Sequence, residues 1–345
     1  NQDMDTIELL QSRAPWKKMG KWKEPIVVEQ VLAHGIVNIK HAPFDVAPSA
    51  YSMIAHQQFV PEKEFNEHVE KIEQMLSADP RATADSLIAP IKKSIAWFNA
   101  LSSGSLSTVF FRELFDRMAE KVSGWYLIMV FDAALQRLYP ASLPASFGVA
   151  GENFTAESLL AAVALPKMLF PVAEERYDLL KIAEKKIAGM EIRADLEKHE
   201  QRFGWMNSLG LWNEPFSADY YETQLKLLAN PAVELCSLEE NRKKQYARAE
   251  HILAELKSRY PLAWIYIDII RDLAGYREEM WDTLVEGFTR VRPLFHELAK
   301  KHHLSFAQLM AHSLPDFFAL VETGQLTASV DELNAGVAQA AVLVT

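Results

Sequence analysis

The stretch from Tyr260 to Leu304 constrains the fold of this chain more than any other part of the sequence. Its apolar side chains recur at steps of three and four residues, at Leu273, Met280, Trp281, Leu284, Phe288, Val291, Leu294, Phe295 and Leu298. This spacing predicts one long α-helix with a continuous buried face. Pro293 lies inside the same pattern and removes a backbone hydrogen bond, so we expect a kink there.

Arg277 interrupts the apolar face of this helix. It lies four residues after Leu273 and four before Trp281, so its guanidinium is expected on the buried side. A guanidinium in that position can bind a phosphate or carboxylate ligand. The alternative is that the stem of Arg277 packs in the core while its head pairs with a carboxylate of a neighbouring helix.

Helical patterns cover most of the remaining sequence, so we predict a mostly α fold. Gly35 is expected to end a helix over 25–34, and the basic and aromatic stretch 16–23 is expected to be a loop. We predict further helices over 62–76, 80–101, 107–138, 171–202 and 217–229, one from a capping box at Ser237 to Arg259, and two short ones starting at Ser305 and Ser313.

The stretch 143–157 has no helical periodicity and carries Pro144, Gly148 and Gly151, which favours a boundary. We therefore predict an N-terminal helical lobe over 1–150 and a second helical lobe over 151–325. The apolar residues 340–345 favour a β-strand, so 326–345 are interpreted as a linker and the truncated start of a β-containing domain. The chain is accordingly expected to be a piece of a longer polypeptide.

The composition excludes several classes of protein. With 49% hydrophobic and 24% charged residues, the 345-residue chain has the composition of a soluble globular protein. A net charge of −10 argues against a nucleic-acid partner, whose binding surface would be basic. No apolar run reaches the length needed to span a membrane, so we expect no membrane partner. Cys236 is the single cysteine, which permits no internal disulfide and favours a cytoplasmic location; we expect it to be buried.

The sequence contains no complete set of catalytic residues. Glycine-rich nucleotide-binding motifs, the GxSxG motif and paired aspartate motifs are all absent. Four histidines, His296, His302, His303 and His312, cluster near the end of the long helix, but no third metal ligand accompanies them. They are interpreted as side chains favoured by the negative end of a helix, and no metal site is predicted.

Large aromatic side chains gather beside polar ones in the loop from Trp205 to Tyr221. Such mixtures are typical of ligand pockets, although loop aromatics also fill gaps between helices. Together with the segment around Arg277, this loop provides the candidate substrate-binding residues: Trp205, Trp212, Glu214, Tyr221, Tyr276, Arg277 and Trp281.

The second half of the chain resembles a known family. The segment EKHEQRFGWMNSLGLWNEPFSADYYETQLKLL is followed by the long helix with its internal arginine, then by HLS at 303–305 and SLPDFFALVETG at 313–324. This order resembles the helical region that joins the two ends of phosphoenolpyruvate-utilising phosphotransferases of the phosphoenolpyruvate synthase-like and rifampicin phosphotransferase-like type. The resemblance covers roughly 167–345, and the first half of the chain matches only loosely.

The resemblance implies a domain that binds the acceptor of an ATP-dependent phosphotransferase or ligase. In that family an ATP-grasp module precedes the region and a swivelling phosphohistidine domain follows it. Neither motif set is present here, so no cofactor is expected in this chain, whereas ATP and Mg²⁺ are expected for the full-length protein. The expected partners are the small-molecule acceptor and those two domains. The alternatives are a free-standing helical scaffold or interaction module without small-molecule chemistry, and a helical metal-dependent hydrolase.

Overall fold

A computed structural model describes residues 15–21, 26–39, 44, 46–54, 57–102, 104–142, 148–149, 152–153, 161–163, 165, 170–210, 213–338 and 341–344. The prediction of a mostly α fold is confirmed. The helices are α1 (Ile26–Val37), α2 (Glu62–Ala78), α3 (Pro80–Ala100), α4 (Thr108–Ala141), α5 (Pro171–Ile187), α6 (Arg193–Phe203), α7 (Ala218–Leu225), α8 (Pro231–Arg259), α9 (Pro261–Lys301), α10 (Phe306–Met310), α11 (Leu314–Thr323) and α12 (Val330–Ala338). A 3₁₀ segment, Gly204–Gly210, follows α6.

Helix α9 is the long helix that the periodicity predicts. It extends from Pro261 to Lys301 and contains Pro293. Its apolar face is buried as expected: Leu273, Met280, Leu284, Phe288, Val291, Phe295 and Leu298 are all at most 3% exposed. This face packs against α3 and α4, and α4 packs in turn against α1 and α2. The main hydrophobic core therefore lies among α1, α2, α3, α4 and α9.

Side-chain caps set the starts of several helices as the sequence predicts. The side chains of Asp79, Ser107 and Ser217 each accept a hydrogen bond from a backbone N–H of the first turn. The start of α8 was predicted wrongly. The cap is Asn230, followed by Pro231 in the first turn, so Ser237 lies inside the helix instead of capping it.

Three further local predictions are wrong. The expected single helix over 171–202 is two helices, α5 and α6, because the chain turns at Gly189, whose φ of +78° favours glycine. Gly35 lies within α1 instead of ending it; there it allows close packing, since a Cβ at Gly35 would overlap the carbonyl oxygen of Ala119 on α4. Cys236 is exposed, because it lies on the solvent side of α8.

A small antiparallel sheet packs against α1 and α2. Its strand order is β1 (Trp16–Lys21), β3 (Gln57–Pro61), β2 (Tyr51–Ile54) and β6 (Ala341–Val344). The stretch predicted as a loop is thus the strand β1, which pairs with β3 with a register shift between Lys18 and Gly20. A separate hairpin joins β4 (Gly148–Val149) to β5 (Glu152–Asn153).

Two sets of contacts join parts of the chain that are far apart in the sequence. Helix α9, expected in the second lobe, shares the main core with α3 and α4 of the first because its apolar face needs a partner along its whole length. Strand β6, expected to begin a further domain, pairs with β2 across Tyr51–Val344, Ser52–Leu343 and Met53–Val342. A strand at the edge of a sheet has unpaired backbone N–H and C=O groups, and β6 forms hydrogen bonds with those of β2.

Candidate functional site

A cavity with a volume of about 240 Å³ lies where α1, β3, α4 and α9 meet. It is larger than an engineered apolar cavity of about 150 Å³ that binds benzene. Its walls are mainly apolar with a few converging polar groups, which is the usual composition of a small-molecule site. The lining residues are Leu32, Ile36, Gln58, Lys121, Val122, Trp125, Arg277, Glu278, Met280, Trp281 and Leu284.

The apolar walls come from helical spacing. Leu32 and Ile36 lie one turn apart on α1, so both face the cavity. On α4, Val122 and Trp125 are three residues apart, and on α9, Trp281 and Leu284 have the same spacing. Two half-buried indole rings therefore stand among aliphatic side chains, an environment suited to an aromatic or branched apolar ligand.

Arg277 lines this cavity, but its guanidinium is not buried as predicted. The side chain is 45% exposed, and its Nε donates a 3.0 Å hydrogen bond to the Oε1 of Glu278. A long stem lets an arginine on an apolar face extend its head to water. The charge of Arg277 also partly offsets the effect of burial, which raises the pKa of Asp132 on α4. The guanidinium thus stands at the border between the cavity and solvent.

Lys121 on α4 is the buried basic residue among those that line the cavity, with only 1% of the residue exposed. Its Nζ donates a hydrogen bond to Oγ1 of Thr283 and lies 4.2 Å from the centre of the Phe98 ring. The Thr283 hydroxyl in turn donates to the carbonyl oxygen of Glu279 at 2.7 Å. Burial lowers the pKa of Lys121 to about 6, although the negative charges of Glu279 and Asp282 act in the opposite direction.

A buried carboxyl group lies behind the cavity wall. Glu29 on α1 is fully buried and accepts hydrogen bonds from the hydroxyl of Tyr51 at 3.1 Å and from Nε2 of Gln58 at 3.3 Å. Burial raises the pKa of Glu29 to about 7, while these two hydrogen bonds oppose the shift. Gln58 lines the cavity, and its carboxamide is held by the hydrogen bond to Glu29.

Asp282 is a second carboxyl group with a shifted pKa near the site. Burial raises its pKa to about 7, and the negative charges of Glu278 and Glu286 add to the shift. The charge of Lys121 acts in the opposite direction. Asp282 does not line the cavity, but it interacts electrostatically with Lys121, which does; shifted pKa values in such interacting groups are often found at functional sites.

The structure does not bring the seven predicted site residues into one pocket. Only Arg277 and Trp281 line the cavity. Tyr276, on the same turn, has the Nζ of Lys92 5.4 Å from its ring centre. Trp212 lies outside the described residues. The remaining three, Trp205, Glu214 and Tyr221, belong to another part of the molecule.

Trp205 and Tyr221 of the aromatic loop are buried in hydrophobic cores. Trp205 is 7% exposed, and its Nε1 donates to the carbonyl of Arg202 at 2.8 Å. Tyr221 is 2% exposed and lies in a second core formed by α5, α6 and α7. Filling gaps between helices, the alternative considered for this loop, therefore describes these two side chains.

The buried arginine of α9 is Arg292, not Arg277. Arg292 is 3% exposed, its Nη2 donates to Oε1 of Glu214 at 2.8 Å, and its guanidinium lies 4.0 Å from the ring centre of Phe306. The same carboxylate oxygen lies 3.3 Å from Nε2 of His296. Glu214 is thus a partner of α9 side chains, which explains why an acidic residue occurs beside the aromatic loop.

Lys121 belongs to no motif, but its position on an apolar helix face is a signal in the sequence. Lys121 lies seven residues after Leu114 and four before Trp125, so it interrupts the apolar face of α4 as Arg277 interrupts that of α9. Glu29 likewise stands within the apolar run of α1. A charged side chain at a core position is a functional candidate only if its head cannot reach water, and that condition depends on the neighbouring helices.

The described part of the chain shows neither a cluster of metal ligands nor a membrane-spanning helix. No group of three or more His, Cys, Asp or Glu side chains there is placed to hold a metal ion. None of the helices described is both long enough and apolar enough to cross a membrane. Comparison of the chain with protein-family models, with curated proteins and with solved structures found no match.

Proposed function

We propose that this chain is a small-molecule-binding helical domain, and that its ligand occupies the cavity between α1, β3, α4 and α9. The observation that supports the proposal is the composition of this cavity. Two indole rings and aliphatic side chains form its walls, while a guanidinium, a carboxamide and a buried amine converge on it.

The chemistry of the walls indicates the class of ligand. Trp125 and Trp281 favour an aromatic ring, and the volume of about 240 Å³ leaves room for a ring with one or two substituents. Arg277 stands at the edge, where its guanidinium can pair with a carboxylate or phosphate. The ligand is therefore proposed to be an aromatic or branched apolar compound with an anionic group.

The sequence resemblance suggests a role for such a ligand. We propose that it is the acceptor of an ATP-dependent phosphotransferase, and that ATP-grasp and phosphohistidine domains of the parent chain supply the phosphoryl group with ATP and Mg²⁺. A cytoplasmic location is part of the same proposal. This chain then contributes acceptor binding and no catalytic residue of its own to phosphoryl transfer.

Calorimetric titration with 4-(hydroxymethyl)benzoate tests the binding step, because this compound combines one ring, a hydroxyl acceptor and a carboxylate. We expect saturable binding that weakens about tenfold in Arg277→Ala, as expected for loss of one charge-assisted contact. The neutral 4-methylbenzyl alcohol should bind equally to both proteins. Arg193→Ala is the matched control, because Arg193 is an exposed arginine on α6 that does not line the cavity.

A second variant, Val122→Phe, places a ring in the cavity and should abolish binding while its circular dichroism spectrum stays that of the wild type. If neither aromatic compound binds at millimolar concentration, the proposal is wrong and the scaffold alternative is favoured. Binding that Val122→Phe leaves intact would place the ligand elsewhere and would also contradict the proposal.

A further inference from the structure

Lys121 stands between two cavities. It lines the cavity of about 240 Å³ described above and also a larger one of about 630 Å³ bordered mainly by α3 and α4. Met280 is shared by the two cavities in the same way. Lys121 is thus shielded from bulk water, being 1% exposed, yet the residue borders two spaces that a ligand can enter.

The contacts of Lys121 are those of a held amine and not those of an ion pair. One N–H is directed to Thr283, whose own hydrogen is committed to the carbonyl of Glu279. The ring of Phe98 covers the amine at 4.2 Å, and Phe98 can approach because Gly287 has no side chain: a Cβ there would lie 2.9 Å from Cδ1 of Phe98. The amine is therefore oriented by its neighbours before any ligand arrives.

Charged residues near Lys121 lie on α9 and around both cavities. Glu279 and Asp282 act on it from α9, and Arg277 and Glu278 line the first cavity with it. Lys93, Arg117 and Glu120 line the second. Burial outweighs the carboxylates and lowers the pKa of Lys121 to about 6, so that at neutral pH the amine carries a free electron pair. Burial of this kind is how proteins activate lysine as a nucleophile.

We propose that Lys121 is a covalent anchor for carbonyl compounds, forming an imine with an aldehyde or ketone held in the cavity. The electron pair of Nζ attacks the carbonyl carbon while the C=O π bond breaks, and a proton passes from Nζ to the oxygen to give a neutral carbinolamine. Loss of that hydroxyl group as water, with loss of a proton from nitrogen, leaves the C=N bond. One amine and one carbonyl compound thus give one imine and one water, with no oxidant or reductant.

This inference rests on the proposed function, since it requires that the cavity accept a ligand. It adds the chemical class of that ligand: an aromatic or branched apolar aldehyde or ketone whose anionic group meets Arg277. A hydroxyl compound would occupy the same space without a covalent bond.

Reductive trapping tests the anchor. The wild-type chain is incubated at pH 7 with 4-formylbenzoate and sodium cyanoborohydride, and modified lysines are located by peptide mass spectrometry. We expect Lys121 to be labelled at least tenfold faster than any exposed lysine, because exposed ammonium groups with a pKa near 10.4 are almost fully protonated at this pH. The preference should fall at pH 10, where exposed amines also become nucleophilic.

Variants separate the anchor from the anion contact. Lys121→Arg should lose the label at this position, whereas Lys198→Arg, a change at an exposed lysine of α6 that lines neither cavity, should leave labelling of Lys121 unchanged. Arg277→Ala should slow labelling by 4-formylbenzoate about tenfold but leave labelling by benzaldehyde unchanged. The wild-type mapping needs no variant, so it decides the question even if one of these proteins fails to fold.

The outcomes distinguish the two proposals. Labelling spread over exposed lysines without preference for Lys121, while 4-(hydroxymethyl)benzoate still binds, overturns the covalent anchor and leaves the proposed function standing. Absence of both labelling and binding overturns both. Preferential labelling of Lys121 that 4-(hydroxymethyl)benzoate inhibits supports both.

Discussion

Replacing Lys121 with methionine should change how the stability of this protein depends on pH. Burial lowers the pKa of Lys121 from 10.5 to about 6 in the folded chain. Between these values the unfolded chain binds one more proton at this side chain than the folded chain does. The free energy of unfolding of the wild type therefore rises with pH across this window, and Lys121→Met removes that contribution.

The magnitude follows from the linkage relation. One proton contributes about 1.36 kcal/mol per pH unit, so the interval from pH 8 to pH 9.5 corresponds to about 2 kcal/mol. The interval avoids other shifted groups. Glu29 and Asp282, with pKa values of about 7, have lost their protons below it. Burial raises the pKa values of Tyr126 and Tyr221, whose contribution begins only as unfolded tyrosines ionise near pH 10.

Urea unfolding followed by circular dichroism at both pH values measures the effect. The free energy of unfolding of Lys121→Met minus that of the wild type should decrease by about 2 kcal/mol from pH 8 to pH 9.5. Methionine fills the volume of the lysine stem, and Thr283 keeps its hydrogen bond to Glu279. In the control Lys198→Met the difference should be the same at both pH values, because the side chain of Lys198 is exposed on α6 and lines neither cavity. A constant difference for Lys121→Met as well would refute the argument that the buried amine is uncharged.

Two further sets of substitutions test the packing and the second buried group. Gly35→Ala should destabilise the fold by about 1–3 kcal/mol, because the added Cβ overlaps the carbonyl oxygen of Ala119; Gly275→Ala, at a helical position with no atom within 4 Å of the new Cβ, should instead stabilise by about 0.5–1 kcal/mol in urea unfolding. Equal effects of the two would mean that α1 and α4 are not in close contact. For Glu29, a pKa raised from 4.5 to about 7 means that the folded chain holds the extra proton, so this group's stabilising contribution is lost as pH rises through that window. The free energy of unfolding of Glu29→Gln minus that of the wild type should increase by up to about 1.4 kcal/mol per pH unit between pH 5 and 7, measured by urea unfolding. A difference that does not change with pH would contradict the raised pKa of Glu29.

Much of the secondary structure could be predicted because the signals are local. The apolar face of α9 follows from spacing along a single helix, and Asp79, Ser107 and Ser217 cap helices whose first turns are adjacent to them in sequence. Local signals fail where a residue serves a contact with a distant part of the chain. Gly35 has the usual signature of a helix end, but its lack of a side chain serves a contact with Ala119, far along the chain.

The candidate site could not be predicted in the same way, because its polar groups come from distant segments. Gln58, Lys121 and Arg277 lie on β3, α4 and α9, and nothing in their own neighbourhoods indicates that they meet. Whether a charged side chain on an apolar face reaches water depends on what packs beside it. Arg277 extends to solvent, whereas the ring of Phe98 and the hydroxyl of Thr283 enclose Lys121.

The amino-acid sequence by itself determined that the chain is mostly α, where most helices start, and which face of α9 is buried. These properties follow from backbone hydrogen bonding and apolar periodicity, which act over a few residues. Only the tertiary structure decided that the buried arginine is Arg292, that Trp205 and Tyr221 fill space between helices, and that the enclosed residue Lys121 borders a cavity. Burial and the resulting pKa of a side chain depend on the solvent that its neighbours exclude, and those neighbours are set by the packing of the whole chain.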